Sequence, residues 1–333
     1  MKHIGLITLA GGSTRFAKSV GIVQPVQINK STYVLAGNPT ILEIQINAMM
    51  KFCNINEIYL VVGCGSASVG SIIKKYIGRI SIHVIESDNW ENTGTAQSFK
   101  LGFDKIYEDH GSACRVTFFE GDILTNFCAL KLFNRSCDMI AYTNKMIDAK
   151  ESVIGYKTVH GTYGFAYDSE HTEFPRIEEA TQIFNCANVY HFADAKRMHD
   201  AISNWHIDEF TENLLLFEEY FSAGENEYTQ EILVDPWYNC NTNKELLAAH
   251  NNWSIKNNYY EIYFPERECI SGNGIQRDVH RKQRVRNCVD EIEYLLNEVE
   301  NDSMIYWCPK TMRWNAHKCD CVDAYWNAKR IPQ

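Results

Sequence analysis

The segment LAGGSTRF (Leu9–Phe16) follows directly on the apolar run IGLIT, residues 4 to 8. A short run of Ile and Leu reads as a buried strand. Turning at once into two glycines, two hydroxyls and an arginine gives up side-chain packing in exchange for bare backbone N–H groups and a fixed positive charge. That exchange suits a held anion, and phosphate is the anion expected.

Outward from this turn the first half of the chain alternates two patterns. IGLITL (4–9), EIYLVV (57–62), ISIHVI (80–85), RVTFFE (115–120) and DMIAYT (138–143) are short, rich in β-branched or aromatic residues, and bounded by Gly, Asp or Asn. Between them Val69, Ile72, Ile73, Tyr76 and Ile77, and then Ala96, Phe99, Phe103 and Ile106, recur at helical spacing. In PTILEIQINAMMKF, Pro39 is expected in the first helical turn. Strand and helix in alternation predict an α/β fold: a Rossmann-like, mostly parallel mixed sheet flanked by helices, with ligands at the carboxyl ends of the strands. LAGGSTRF stands at such an end.

From about residue 150, VIGYKTVHGTYGFAYD reads as antiparallel strands over the site. From about 251 to 333 the character changes to an irregular aromatic stretch, a helix candidate in QRVRNCVDEIEYLLNEVEND and a Trp- and Cys-containing tail. The expected division is a main domain over 1–250 and an appended subdomain over 251–333. Cys308, Cys319, Cys321 and His317 in the tail invite a zinc reading, but a lone CxC lacks the paired spacing of structural zinc sites.

Composition narrows the function classes. The 333 residues carry 42 acidic against 32 basic groups, a formal charge of −10, which argues against nucleic acid as the main partner. No apolar run approaches a membrane span, and MKHIGLITLAGG meets glycines before a signal-peptide apolar region could finish, so a cytoplasmic protein is expected. The 12 cysteines are scattered, many in apolar segments, and read as reduced thiols rather than a disulfide framework.

Four segments taken in order carry a resemblance. LAGGSTRF, the lysine of NKSTYVLAGNP, the NTGTAQS segment and the strand end FFEGDIL together resemble the nucleotidyltransferases that make nucleotide-sugars and related activated compounds on a GT-A-like domain with magnesium. The resemblance covers roughly residues 1 to 250. It implies that Leu9, Ala10, Gly11 and Gly12 approach a triphosphate, in a loop one residue shorter than usual at Ser13, and that Arg15 neutralises the departing pyrophosphate. It implies that Lys30, seven residues before Gly37 and preceded by Asn29 where proline is customary, binds the reacting phosphates, with Lys18 a nearby competitor. Gly94, Thr95 and Ala96 match the segment that passes the base, although Thr93 or Thr95 capping a helix accounts for the same residues.

Asp122 at the end of a strand matches the magnesium ligand. In WYNCNTNKELLAA, Asn239 and then Asn241 take positions that are acidic in many relatives. Glu179 and Asn188 match acceptor-binding positions, and Asn188 replaces a glycine there, which narrows the pocket floor. The implied reaction transfers a nucleoside monophosphate from a triphosphate, pyrimidine favoured, to a phosphorylated small-molecule acceptor. A GT-A-type glycosyltransferase and a non-catalytic nucleotide-binding protein are the alternatives.

Overall fold

The computed structural model describes residues 1–22, 28–35, 38–88, 90–91, 94–134, 136–147, 153–167, 177, 180–204, 212–222 and 229–252, with two short strands at 306–308 and 313–315. The chain falls into two units, Met1–Tyr263 and Phe264–Gln333.

The first unit begins β1 (Lys2–Leu9), α1 (Thr14–Ser19), α2 (Ile41–Lys51), β2 (Glu57–Val62), α3 (Ser66–Ile73), β3 (Ser81–Glu86), α4 (Thr95–His110) and β4 (Cys114–Glu120). It continues β5 (Ile123–Thr125), β6 (Asp138–Thr143), β7 (Ile154–Thr158), β8 (Tyr163–Ala166), β9 (Ala180–Phe192), α5 (Ala195–Asn204), α6 (Asn213–Ser222), β10 (Thr229–Leu233), β11 (Trp237–Asn239) and α7 (Asn243–Asn251). The main sheet runs β10-β6-β9-β4-β1-β2-β3. β9 alone runs against the other strands of this path, pairing antiparallel with both β4 and β6. β7 and β8 extend the sheet from β9 as antiparallel strands, as expected of the region after residue 150.

The central strands read as continuous apolar runs because both faces of the sheet are covered. Along β1 and β2 the side chains alternate between two cores: Ile7, Leu9, Ile58, Leu60 and Val62 face one, while Ile4, Leu6, Tyr59 and Val61 face the other. α2 closes the first core with Ile41, Ile44 and Met49. α4 closes the second with Phe99, Phe103 and Ile106, joined by Phe217 of α6. In α4 the helical spacing in the sequence is thus the spacing of core contacts, whereas α3 ends at Ile73, Tyr76 reaches the core from a following 3-10 turn, and Ile77, expected on the same face, is exposed.

Two local expectations are corrected. α2 starts from Thr40 in a capping box with Glu43, so Pro39 precedes the cap instead of occupying the first turn. α4 is capped by Gly94 with no side-chain bond, and Thr95 is its first residue and not its cap, while Thr93 lies outside the described residues. Of the cysteines described as free, Cys53, Cys64, Cys114, Cys186 and Cys240 are buried, and burial pushes the Cys114 thiol up to about 11.

In the second unit, β12 (Tyr306–Cys308) pairs antiparallel with β13 (Arg313–Asn315). The helix expected in QRVRNCVDEIEYLLNEVEND, together with Cys319, Cys321 and His317, lies outside the described residues. Among the described residues no helix is long and apolar enough to cross a membrane.

Candidate active site

The site is assembled where β1 and β4 end side by side. Gly121 stands at that meeting point: a Cβ there would lie 2.3 Å from Leu9 Cδ2 and 2.6 Å from the Thr8 carbonyl. No side chain fits, so the strand end can bring Glu120 and Asp122 to the mouth of the sheet only with glycine between them. Beyond Asp122 the chain enters β5, which pairs antiparallel with β11 and sets Ile123 opposite Asn239. The Cys240 N–H donates to the Asp122 carbonyl at 2.9 Å. This two-stranded sheet brings the asparagines of WYNCN to Asp122 across more than a hundred residues of sequence.

Lys30 is carried by a single 3-10 turn, Lys30–Thr32. Asn29, which stands in place of the customary proline, is buried and acts as a bracket. Its amide N–H groups donate to the carbonyls of Leu9 at 2.8 Å and Cys64 at 3.1 Å, and its Oδ1 accepts from the Ser31 N–H at 3.0 Å. The ends of β1 and β2 are thereby tied to the lysine turn. The Lys30 N–H donates to Ser13 Oγ at 3.1 Å, which fastens the same turn to the glycine loop. Ser13 itself adopts a left-handed conformation (φ 51°) and leads straight into α1, which is how the shortened loop is accommodated.

The Lys30 ammonium forms an ion pair with Asp122 Oδ2 and donates to Asn241 Oδ1 at 2.7 Å. Asn241 Nδ2 in turn donates to Asn239 Oδ1 at 2.7 Å. A carboxylate and an amide oxygen therefore converge on one positive charge, with the side chains of Lys30 and Asp122 only 18% and 15% exposed. Asn241, rather than Asn239, touches the ammonium. Asn239 lies one hydrogen bond behind it.

Lys30, Asp122, Asn239 and Asn241 line one cleft of about 520 Å³ together with Leu9, Ala10, Gly11, Arg15, Thr95 and Asn188. A Cβ on Gly11 would meet nothing within 4 Å, so its bare backbone borders open space. Gly12, Gly94 and Ala96 are not in the wall: a Cβ on Gly12 would pack against Trp90, and Ala96 is fully buried in the core beneath α4. Thr95 is in the wall, but its hydroxyl donates to Glu212 at 2.7 Å and accepts from the Asn213 N–H at 2.9 Å. Lys18 is exposed and outside the cleft. Glu179 and Gly37 lie outside the described residues.

Asn188 sits in an irregular stretch of β9 with φ 55°, the left-handed conformation a glycine adopts freely, which explains why the asparagine can occupy a glycine's place. Its Nδ2 donates to Glu120 Oε2 at 2.8 Å.

Glu120 is the residue that sequence reasoning passed over. Burial, followed by repulsion from Asp122, raises its carboxyl to about 8. The available signal was the pattern E-G-D, since residues i and i+2 at a strand end share a face. Gln45 was missed as well. It is wholly buried in α2, and it donates to the Glu120 carbonyl at 2.8 Å and the Ile123 carbonyl at 3.0 Å, fixing the turn that presents Asp122.

Among the described residues no three His, Cys, Asp or Glu side chains are grouped to hold a metal by themselves. The donors that do converge are hard oxygens, and a cation already lies among them in the form of the Lys30 ammonium. That set fits magnesium, which takes one or two carboxylates and fills its shell from phosphate and water.

A sheet of this order, with its cleft at the ends of β1 and β4, is the mixed α/β fold that solved nucleotidyltransferases share. The chain is similar to the inositol-1-phosphate CTP transferase from T. maritima, with a TM-score of 0.56 and 15% identity over 81% of this chain and 98% of that one. It is similar to a UDP-glucose pyrophosphorylase complexed with UDP-glucose, at 0.56 and 13% over 78% and 99%. A nucleoside-diphosphate-sugar pyrophosphorylase from Vibrio cholerae RC9 gives 0.53 and 17% over 74% and 98%. By sequence the chain belongs to the family described as a domain of unknown function, DUF6564, which matches residues 27–253. No curated protein matches the sequence.

Proposed function

We propose that residues 1–250 form a cytoplasmic nucleotidyltransferase domain, carrying an extension over 251–333, and that it transfers a nucleoside monophosphate from a triphosphate to a phosphorylated small molecule. The observation that carries this reading is the Lys30–Asp122 ion pair, which opens onto the same cleft as the bare backbone of Gly11. A phosphate oxygen of the acceptor attacks the α-phosphorus in line. The new P–O bond forms as the bond to the bridging oxygen breaks, and pyrophosphate leaves with that electron pair.

No side-chain nucleophile is needed, because a phosphate dianion is already nucleophilic. Positioning and charge neutralisation remain as the protein's work. Lys30 spans the approaching phosphates, Arg15 meets the departing pyrophosphate, and the N–H groups around Gly11 contact the triphosphate. Asp122, with Asn241 and behind it Asn239, would hold magnesium, which supplies charge stabilisation at phosphorus when bound. Glu179 and Asn188 belong to the acceptor end. The similarity to a CTP transferase and to a UDP-glucose pyrophosphorylase supports a pyrimidine triphosphate as donor.

A second reading has one observation in its favour. Glu120 and Asp122 form an acidic pair at i and i+2, the arrangement a glycosyltransferase uses to hold the metal of a nucleotide-sugar. Mixing each of four triphosphates with a panel of phosphorylated acceptors and magnesium separates the two. Pyrophosphate release is expected. Triphosphate binding without release across the panel would overturn the transferase reading.

A further inference from the structure

The wall of the cleft is unevenly charged. Its cations, Arg15 and Lys30, belong to the glycine-loop side, and Lys30 is committed to Asp122. Toward α4, β9 and the start of α6 the wall carries two further carboxyl groups, Glu120 and Glu212. Among the described residues neither forms an ion pair: Glu120 accepts from Asn188, and Glu212 accepts from the Thr95 hydroxyl. An independent observation comes from Asn188, which is only 6% exposed. Its Nδ2 is used, but its Oδ1 has no hydrogen-bond partner among the described residues. A buried acceptor left without a donor is costly unless something completes it. That end of the cleft therefore carries carboxyl groups with a buried amide oxygen behind them, and among the described residues no positive charge of its own.

We propose that the acceptor end of the cleft recognises a positively charged nitrogen, so that the acceptor is a phosphate monoester bearing an amine or quaternary ammonium group and not a neutral sugar phosphate. This rests on the transferase reading of the cleft. Such a molecule lies with its phosphate toward Lys30 and Arg15 and its nitrogen toward Glu120, Glu212 and Asn188. Glu212 supplies the negative charge that the nitrogen meets, opposite the cations that meet the phosphate, and this gives orientation as well as affinity.

Calorimetric titration with phosphocholine against its neutral carbon isostere 3,3-dimethylbutyl phosphate, and with phosphoethanolamine against propyl phosphate, tests the charge alone. The cationic member of each pair should bind about tenfold tighter. Glu212→Gln should reduce that ratio to less than about threefold. Equal binding within each pair overturns the proposal, as does absence of binding by all four, and because that comparison uses the unmodified protein it stands even if a variant fails to fold. Pyrophosphate release at equal rates with charged and neutral acceptors would sink the cation site and keep the transferase. Charge-selective binding with no release under any triphosphate would do the reverse.

Discussion

Two polar clusters flank the same sheet, one at each end of its strands, and they settle their charges in opposite ways. At the amino ends, Glu57 of β2 is surrounded by partners: it pairs with Lys2, contacts the His83 ring nitrogen at 2.9 Å and that of His110 at 3.2 Å, and lies 3.2 Å from the Tyr59 hydroxyl oxygen. Tyr59 stacks on His83 with ring centroids 4.4 Å apart and also donates to Asp109 at 2.8 Å. Burial pushes the Glu57 carboxyl up, but Lys2 and His110 more than offset this and hold it below the usual range. At the carboxyl ends, Glu120 has burial and the neighbouring Asp122 against it and is raised to about 8. One cluster is complete within the protein. The other is left short of positive charge, as expected where a ligand is to complete it.

The comparison breaks most visibly at Asp122. Asp122→Ala should reduce pyrophosphate release by at least about a thousandfold, while far-UV circular dichroism and the melting temperature stay near those of the unmodified protein. Full activity of that variant with magnesium would remove the metal assignment. Lys30→Ala should slow turnover by roughly a hundredfold. It should also strengthen magnesium binding in the absence of nucleotide, because the ammonium no longer occupies the carboxylate. An unchanged rate would shift the role to Lys18, although Lys18 lies outside the cleft.

That these two residues would meet in one cleft was legible in the sequence because the signals are local. A strand end followed by G-D, and a lysine at a set distance from the glycine turn, are readable within a few positions, and so were the core strands whose apolar runs report burial on both faces. What escaped was set by tertiary contact. Asn29 looked like a departure from a proline, yet its amide spans two strand ends that only the folded sheet brings together. The order of Asn239 and Asn241 depends on the β5–β11 pairing, which no spacing in the sequence reports. Ala96 belongs to the core because helical rotation turns it inward, even though it sits beside Thr95 in the matched segment. Glu120 was hidden by its position at the end of an apolar strand, where it read as the last residue of a core run.

The amino-end cluster gives the next largest effect, on stability instead of rate. Glu57→Gln keeps the shape of the side chain but removes the charge that Lys2 and His110 face, and it should cost about 2 kcal/mol in chemical denaturation at pH 7. Because the folded carboxyl is held below its unfolded value, its contribution is present above the unfolded value and lost as pH falls through the folded one. The gap between variant and unmodified protein should therefore close on acidification below about pH 4.5. A gap that persists there would mean that Glu57 acts through packing and not through charge.

Glu120→Gln is the converse case, an effect that appears only as pH rises. Its folded carboxyl lies at about 8 against an ordinary value of 4.5, so between these values the folded protein keeps a proton that the unfolded chain has released. Stability then falls as pH rises through that window and levels off above it. Glutamine cannot ionise, yet its amide oxygen can still accept from Asn188, so the variant should lose this decline without losing the contact. At pH 5 the two proteins should melt together. By pH 8.5 the variant should be the more stable of the two. If the variant were instead the less stable at pH 8.5, Glu120 would be as well satisfied as Glu57, and the contrast between the two ends of the sheet would vanish.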